Sequence, residues 1–162
     1  MDKTFIIQPE SGLQFNWRAV AADPSARHES KMDLIAYKAL YINMIAQARA
    51  RGQEPVLVSL PIMDENRYFA HITSGMSMQE RKNLLYWLGG KTERLRNIHA
   101  MYNLLLFRLA ASQGVHIIDI TSPMLACANF DELLANDGVT LSAAGEALVN
   151  SLLYRDQAHE AA

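Results

Sequence analysis

A chain of 162 residues, half of them hydrophobic and a fifth charged, has the material for one domain with a sizeable core. A formal net charge of −2 offers no electrostatic footprint for nucleic acid or anionic lipid, and no apolar run reaches the roughly 18–20 residues of a membrane span. The single cysteine, Cys127, excludes an internal disulfide and any cysteine-based zinc site. The opening is acidic and passes directly into strand-like sequence, with no secretory signal, so a cytoplasmic domain is expected.

The first element is a strand over Thr4–Gln8, a β-branched and aromatic run stopped by Pro9. A helix follows, with Leu34, Tyr37, Tyr41, Ile45 and Ala48 on one stripe, Ser30 to Asp33 resembling a capping box, and Gly52 as its C′ residue. Pro55–Leu60, bounded by Pro61, is the second strand. A shorter helix spans Ser77–Trp87 ahead of Gly89 and Gly90. Thr92 is placed to cap a long helix with Leu95, Ile98, Tyr102, Leu105 and Leu109 on its stripe, ending at Gly114. Val115–Ile120 is the third strand, Met124–Leu134 a further helix, and Ser142 the cap of a last helix striped by Ala144, Leu148 and Leu152.

Near-continuous apolar strands alternating with helices predict an α/β fold with a parallel sheet covered on both faces. Three strands are few for that class. In such sheets ligands bind beyond the carboxyl ends of the strands, where Glu10, Ser11, Gln14, Asn16, Ser59, Asp64, Asp119 and Asp137 are expected. Two carboxylates there could do acid–base work if one were desolvated, but spacing alone does not bring any two together. His99 and His116 read as core or boundary residues, and no histidine pair has ligand spacing, so neither a metal nor a cofactor is expected. Cys127 reads as a buried inert thiol, Trp17 and Trp87 as packing anchors, and Met63, Met76 and Met78 as an apolar lip.

The segment Asn136-Asp137-Gly138-Val139-Thr140-Leu141-Ser142-Ala143-Ala144-Gly145 resembles the last block of the SGNH/GDSL hydrolases, Asp-Gly-x-His-Leu/Pro-Ser/Asn-x-x-Gly. Pro55–Pro61 with Asp64 and Arg67-Tyr68-Phe69, Tyr86-Trp87-Leu88-Gly89, Tyr102-Asn103, and Phe15-Asn16-Trp17-Arg18-Ala19-Val20-Ala21 with Pro24 are similar to one bacterial branch of that family. Residues 4–155 thus resemble the C-terminal two-thirds of such a domain, making residues 1–162 a single domain.

The resemblance implies a flavodoxin-like three-layer sandwich, reduced here to about three strands. It also implies ester hydrolysis, the removal of acyl or acetyl groups by a Ser-His-Asp triad. Carried over residue by residue, Asp137 is the triad carboxylate, Thr140 stands at the His position, and Ser11 stands at the oxyanion Asn position. A shifted alignment places Gln14 there instead. No Gly-Asp-Ser occurs, so the nucleophile-bearing N-terminal part is expected to be missing. Threonine has no group titrating near neutrality and cannot be the general base.

These departures lead to the expectation of a catalytically inactive SGNH/GDSL-like protein. Two alternatives remain open: the C-terminal portion of an esterase completed by another chain, or a non-enzymatic α/β oligomerisation or binding module. The expected partners are a small ester or acyl ligand, and a second copy or partner chain pairing with the strand at Thr4–Gln8. Nucleic acid and membrane are not expected.

Overall fold

The computed structural model describes residues 3–161, with side chains described through Gln157. Three strands, β1 (Thr4–Ile7), β2 (Glu54–Val58) and β3 (His116–Ile118), form a parallel sheet in the order β1-β2-β3. Ile6 lies opposite Val56, and Leu57 opposite Ile117. The central strand is buried from Pro55 to Val58, which is why it reads as an unbroken apolar run.

Successive side chains of a strand point to opposite faces, and the two faces are covered differently. Ile7 and Leu57 meet α2 (Leu34–Ala50) and α5 (Glu93–Gln113) through Tyr37, Tyr41, Ile45, Leu106 and Leu109. Val56, Val58 and Ile118 meet α6 (Thr121–Ala126) and α7 (Ala143–Ala161) through Met124 and Val149. The expected three-layer arrangement with about three parallel strands is therefore present. A third cluster is built from segments leaving the carboxyl ends of β1 and β2. It joins Leu13 and Met63 to α1 (Trp17–Ala22), α3 (Glu65–Ile72) and α4 (Met78–Trp87) through Val20, Tyr68 and Leu84.

Most helix boundaries follow their expected caps. Ser77 and Glu80 form a reciprocal capping box on α4, Gly114 ends α5 in the left-handed conformation at φ 63°, and the Ser142 hydroxyl accepts the Gly145 N–H at 3.1 Å.

Three expectations need correction. Asp33, not Ser30, caps α2 by accepting the Ala36 N–H at 2.7 Å. Ser30 is buried and donates to the Gly12 carbonyl at 2.6 Å, tying the loop before α2 to the segment after β1. The Thr92 hydroxyl turns away from α5 to donate to Asn66 at 2.8 Å. The helix expected over Met124–Leu134 is instead α6, starting at Thr121, followed by a 3-10 turn at Phe130–Leu133. Pro123 falls in the first turn of α6, where a missing N–H costs nothing, and Cys127 leaves the helix in an extended conformation. The short α1 and α3 carry too few turns to show a stripe; Asn16 and Asp64 cap them.

Candidate functional site

The carboxyl ends of β1 and β2 and the segment following β3 enclose a cavity of about 270 Å³, lined by Gln8, Pro9, Val58, Ser59, Ile120 and Leu141. Its floor is joined by Ser59, which is 2% exposed. The Ser59 hydroxyl accepts the N–H groups of Ile120 at 2.8 Å and Thr121 at 3.2 Å, and approaches Asp119 Oδ1 at 3.4 Å. So many partners make it a strut between β2 and the turn after β3, not a free nucleophile. Asp119 accepts the Ser122 hydroxyl at 2.6 Å and the Ser122 N–H at 3.1 Å. Burial would raise its carboxyl, but these bonds, with Thr121 and Ser59, outweigh burial and hold it below the ordinary value.

Asp137 and Thr140 come together as one closed loop. Asp137 Oδ1 accepts the N–H groups of Val139 at 3.0 Å and Thr140 at 2.8 Å, and Oδ2 accepts the Thr140 hydroxyl at 2.5 Å. Burial again works to raise the carboxyl. The Thr140 hydroxyl and the two N–H groups overcome it, with a smaller contribution from the charge of His71, and the net effect is a lowered pKa. The loop is pinned to α3: the Asp64 N–H donates to the Gly138 carbonyl at 2.8 Å. Gly138 has φ +76°, and a Cβ there would stand 2.5 Å from the Asp64 carbonyl oxygen and 2.7 Å from the Tyr68 nitrogen.

Ser11 and Gln14, the two residues competing for the oxyanion position, belong to a single turn. The Ser11 hydroxyl accepts the Leu13 N–H at 3.1 Å, and the Gln14 side chain donates to the Ser11 carbonyl at 2.9 Å. Ser11 makes no hydrogen bond to Asp137 or Thr140. Asn16 and Asp64 are occupied as helix caps, so the polar residues at the mouth mostly close their own loops.

The histidines stand apart from this loop. His71, which the sequence did not single out, is exposed on α3 and acts on Asp137 only through its field. His99 is mostly buried, and its Nε2 contacts the Pro61 carbonyl at 2.8 Å, which requires Nε2 to carry the proton. Its Nδ1 is buried without a partner, and burial pushes the imidazole pKa down. His99 lines a second cavity of about 200 Å³ with Met63, Asn103, Thr121 and Leu125. His116 is not a core residue. It is exposed at the start of β3, the end of the strand away from the mouth, and pairs with Asp156 of α7 at 3.0 Å.

The aromatic anchors behave as expected: Trp17 donates to the Tyr68 hydroxyl at 3.0 Å and packs against Phe15 and Trp87. The methionine lip does not form, because Met63 and Met76 are buried while Met78 is 74% exposed on α4. Cys127 is only half-buried, its thiol 3.5 Å from the Pro123 carbonyl. Among the described residues no three His, Cys, Asp or Glu side chains gather to hold a metal ion.

The architecture and the mouth can be set against known proteins. The chain is similar to the lipase/acylhydrolase from Enterococcus faecalis, with a TM-score of 0.51 and 17% identity, over 95% of this chain and 60% of that one. The fold is that of the GDSL-like lipases and acylhydrolases. A GDSL-like lipase from Bacteroides thetaiotaomicron VPI-5482 gives a TM-score of 0.53 and 13% identity, over 95% of this chain and 61% of that chain. The chain therefore spans about 60% of the length of the GDSL-fold structures it matches. Neither a scan of protein families nor a search of curated proteins finds a match to the sequence. No helix among the described residues is long and apolar enough to cross a membrane.

Proposed function

We propose that this chain is a GDSL-fold protein that binds a small ester or acyl group at its mouth without hydrolysing it. The observation that carries this reading is the Asp137 carboxylate closed onto Thr140. A triad aspartate must keep an oxygen for the N–H of a histidine. Here Oδ2 is taken by the Thr140 hydroxyl, at the position where the resemblance expects that histidine, and Oδ1 holds two backbone N–H groups. No general base near neutrality is left in the loop. The mouth cavity still offers apolar walls with Gln8 as a polar point, a fit for a short acyl chain ending in an ester.

The test is direct. The purified chain should turn over p-nitrophenyl acetate and butyrate no faster than background and should not be labelled by a fluorophosphonate. Turnover abolished by Ser11→Ala would sink the reading. Titration with a non-hydrolysable butyryl ketone should shift the amide resonances of Gln8, Ser59 and Leu141.

A second reading is favoured by the sheet edge. Among the described residues β1 pairs in the sheet with β2 alone, and the mouth cavity lies beside Gln8 and Pro9. A second copy, or another chain completing an esterase, would add its strand there. Light scattering separates the two readings: a monomer that binds the ketone supports the first, whereas a dimer disrupted by Ile6→Lys supports the second.

A further inference from the structure

Away from the mouth, two adjoining cavities of about 590 and 190 Å³ share Leu34 and Met101 and form one groove between the start of α2 and the outer side of α5. Its floor is unusually apolar for a surface: Ile35 is 82% exposed, Met101 53% and Leu104 54%. Along α5 the groove follows Arg94, Ile98, Met101, Leu105 and Arg108. Positions at i, i+4, i+7, i+11 and i+14 share one helical stripe. The stripe is therefore apolar in the middle and cationic at both ends, with about 21 Å between the two arginine positions at 1.5 Å per residue. Neither Arg94 nor Arg108 has an ion-pair partner among the described residues. The acids on the same rim are engaged: Glu29 pairs with Arg27 at 2.7 Å, and Asp33 caps α2.

We infer that this groove docks an amphipathic helix of a partner protein, carrying an apolar stripe of about three to four turns with an acidic residue beyond each end. Charge complementarity selects that occupant. A fatty acid has one anionic end and would leave one arginine unmatched, whereas a helix with an acidic residue beyond each end of its apolar stripe meets both. A helix lying in an apolar groove engages it through i, i+3/i+4 and i+7 anchors, matching the stripe it would face. The inference is independent of whether the mouth binds or hydrolyses esters.

The probe is a fluorescein-labelled synthetic helix with leucines at i, i+3, i+7 and i+11 and glutamates flanking both ends, followed by anisotropy. A second peptide has lysines in place of the glutamates. The glutamate peptide should bind about tenfold more tightly than the lysine peptide, as two surface ion pairs allow. Arg94→Glu with Arg108→Glu should reverse that order. Met101→Glu should abolish binding while leaving the thermal melt unchanged, since the Met101 side chain is half exposed. The inference is overturned if neither peptide binds, if both bind equally, or if Met101→Glu has no effect. It is equally overturned if light scattering shows a dimer that Met101→Glu dissociates, because the occupant is then a second copy, or if the groove variants instead lose binding to anionic vesicles.

Discussion

The two faces of the sheet are covered with different chemistry. Under α2 and α5 the face is aromatic and polar-tipped; under α6 and α7 it is built from Val56, Val58, Ile118, Ile120, Met124 and Val149. On the aromatic face, Tyr37 packs edge-on against Tyr41 and Tyr102, with ring centroids 4.8 and 4.9 Å apart. Two of the phenols reach the mouth segment and the third reaches the loop before α2. Tyr37 donates to the Glu10 carbonyl at 2.6 Å, Tyr41 accepts the Glu10 N–H at 2.9 Å, and Tyr102 donates to the Met32 carbonyl at 2.7 Å. Burial pushes all three phenols above their ordinary pKa, so they remain neutral hydroxyls. One face thus supplies core and positions the loop beside the cavity, whereas the other supplies packing and the apolar wall of the cavity through Val58, Ile120, Leu141 and Val149.

The sharpest way to break this contrast is to remove a ring from the aromatic face. Tyr102→Ala should cost about 3–5 kcal/mol in denaturant unfolding, against about 1 kcal/mol for Ile118→Val on the aliphatic face. Tyr102 also leaves no room at Gly12, where a Cβ would fall 2.2 Å from the ring. Next in size is Gly138→Ala, which combines a positive φ with contact against the backbone of α3. A loss of about 2–3 kcal/mol is expected from chemical denaturation, without a change in the aromatic face.

Tyr37→Phe keeps the ring and removes the bond to Glu10, so about 1–2 kcal/mol should be lost. If the positioning role is right, amide exchange should quicken at residues 8–14 more than in β3.

The smallest effect concerns pH. The folded His99 pKa lies below its ordinary 6.5, so the unfolded chain takes up the proton first. Stability from neutral His99 is present above about pH 6.5 and is lost as pH falls through the folded value. Asp119 and Asp137, also lowered in the fold, lose their contribution only on further acidification below their ordinary 3.8. A stability-versus-pH series should show the upper step vanish in His99→Gln, with the lower one retained.

Much of the frame was legible because it rests on local patterns. The apolar run at Pro55–Leu60 had to be covered on both faces, and the Leu34–Ala48 stripe had to lie against a core, whatever their partners. The Asp137–Thr140 pairing was legible too, since three residues of loop bring the two side chains together. Ser30 and His116 were not. Ser30 had the spacing of a cap, but its hydroxyl found a buried carbonyl at Gly12, eighteen residues away. His116 sat in an apolar strand, yet at an end where the sheet opens to solvent and Asp156.

The sequence by itself determined the parallel α/β frame and the order of its strands and long helices, because each depends on residue type and short spacing. The tertiary structure alone decided what the polar groups of the mouth do. Whether Ser59 stands free or is consumed depends on the N–H groups of Ile120 and Thr121, 61 and 62 residues away. It also decided which apolar residues remain uncovered: Ile98 and Leu105 of α5 pack partly against the core, while Met101 and Leu104 on the same helix stay exposed.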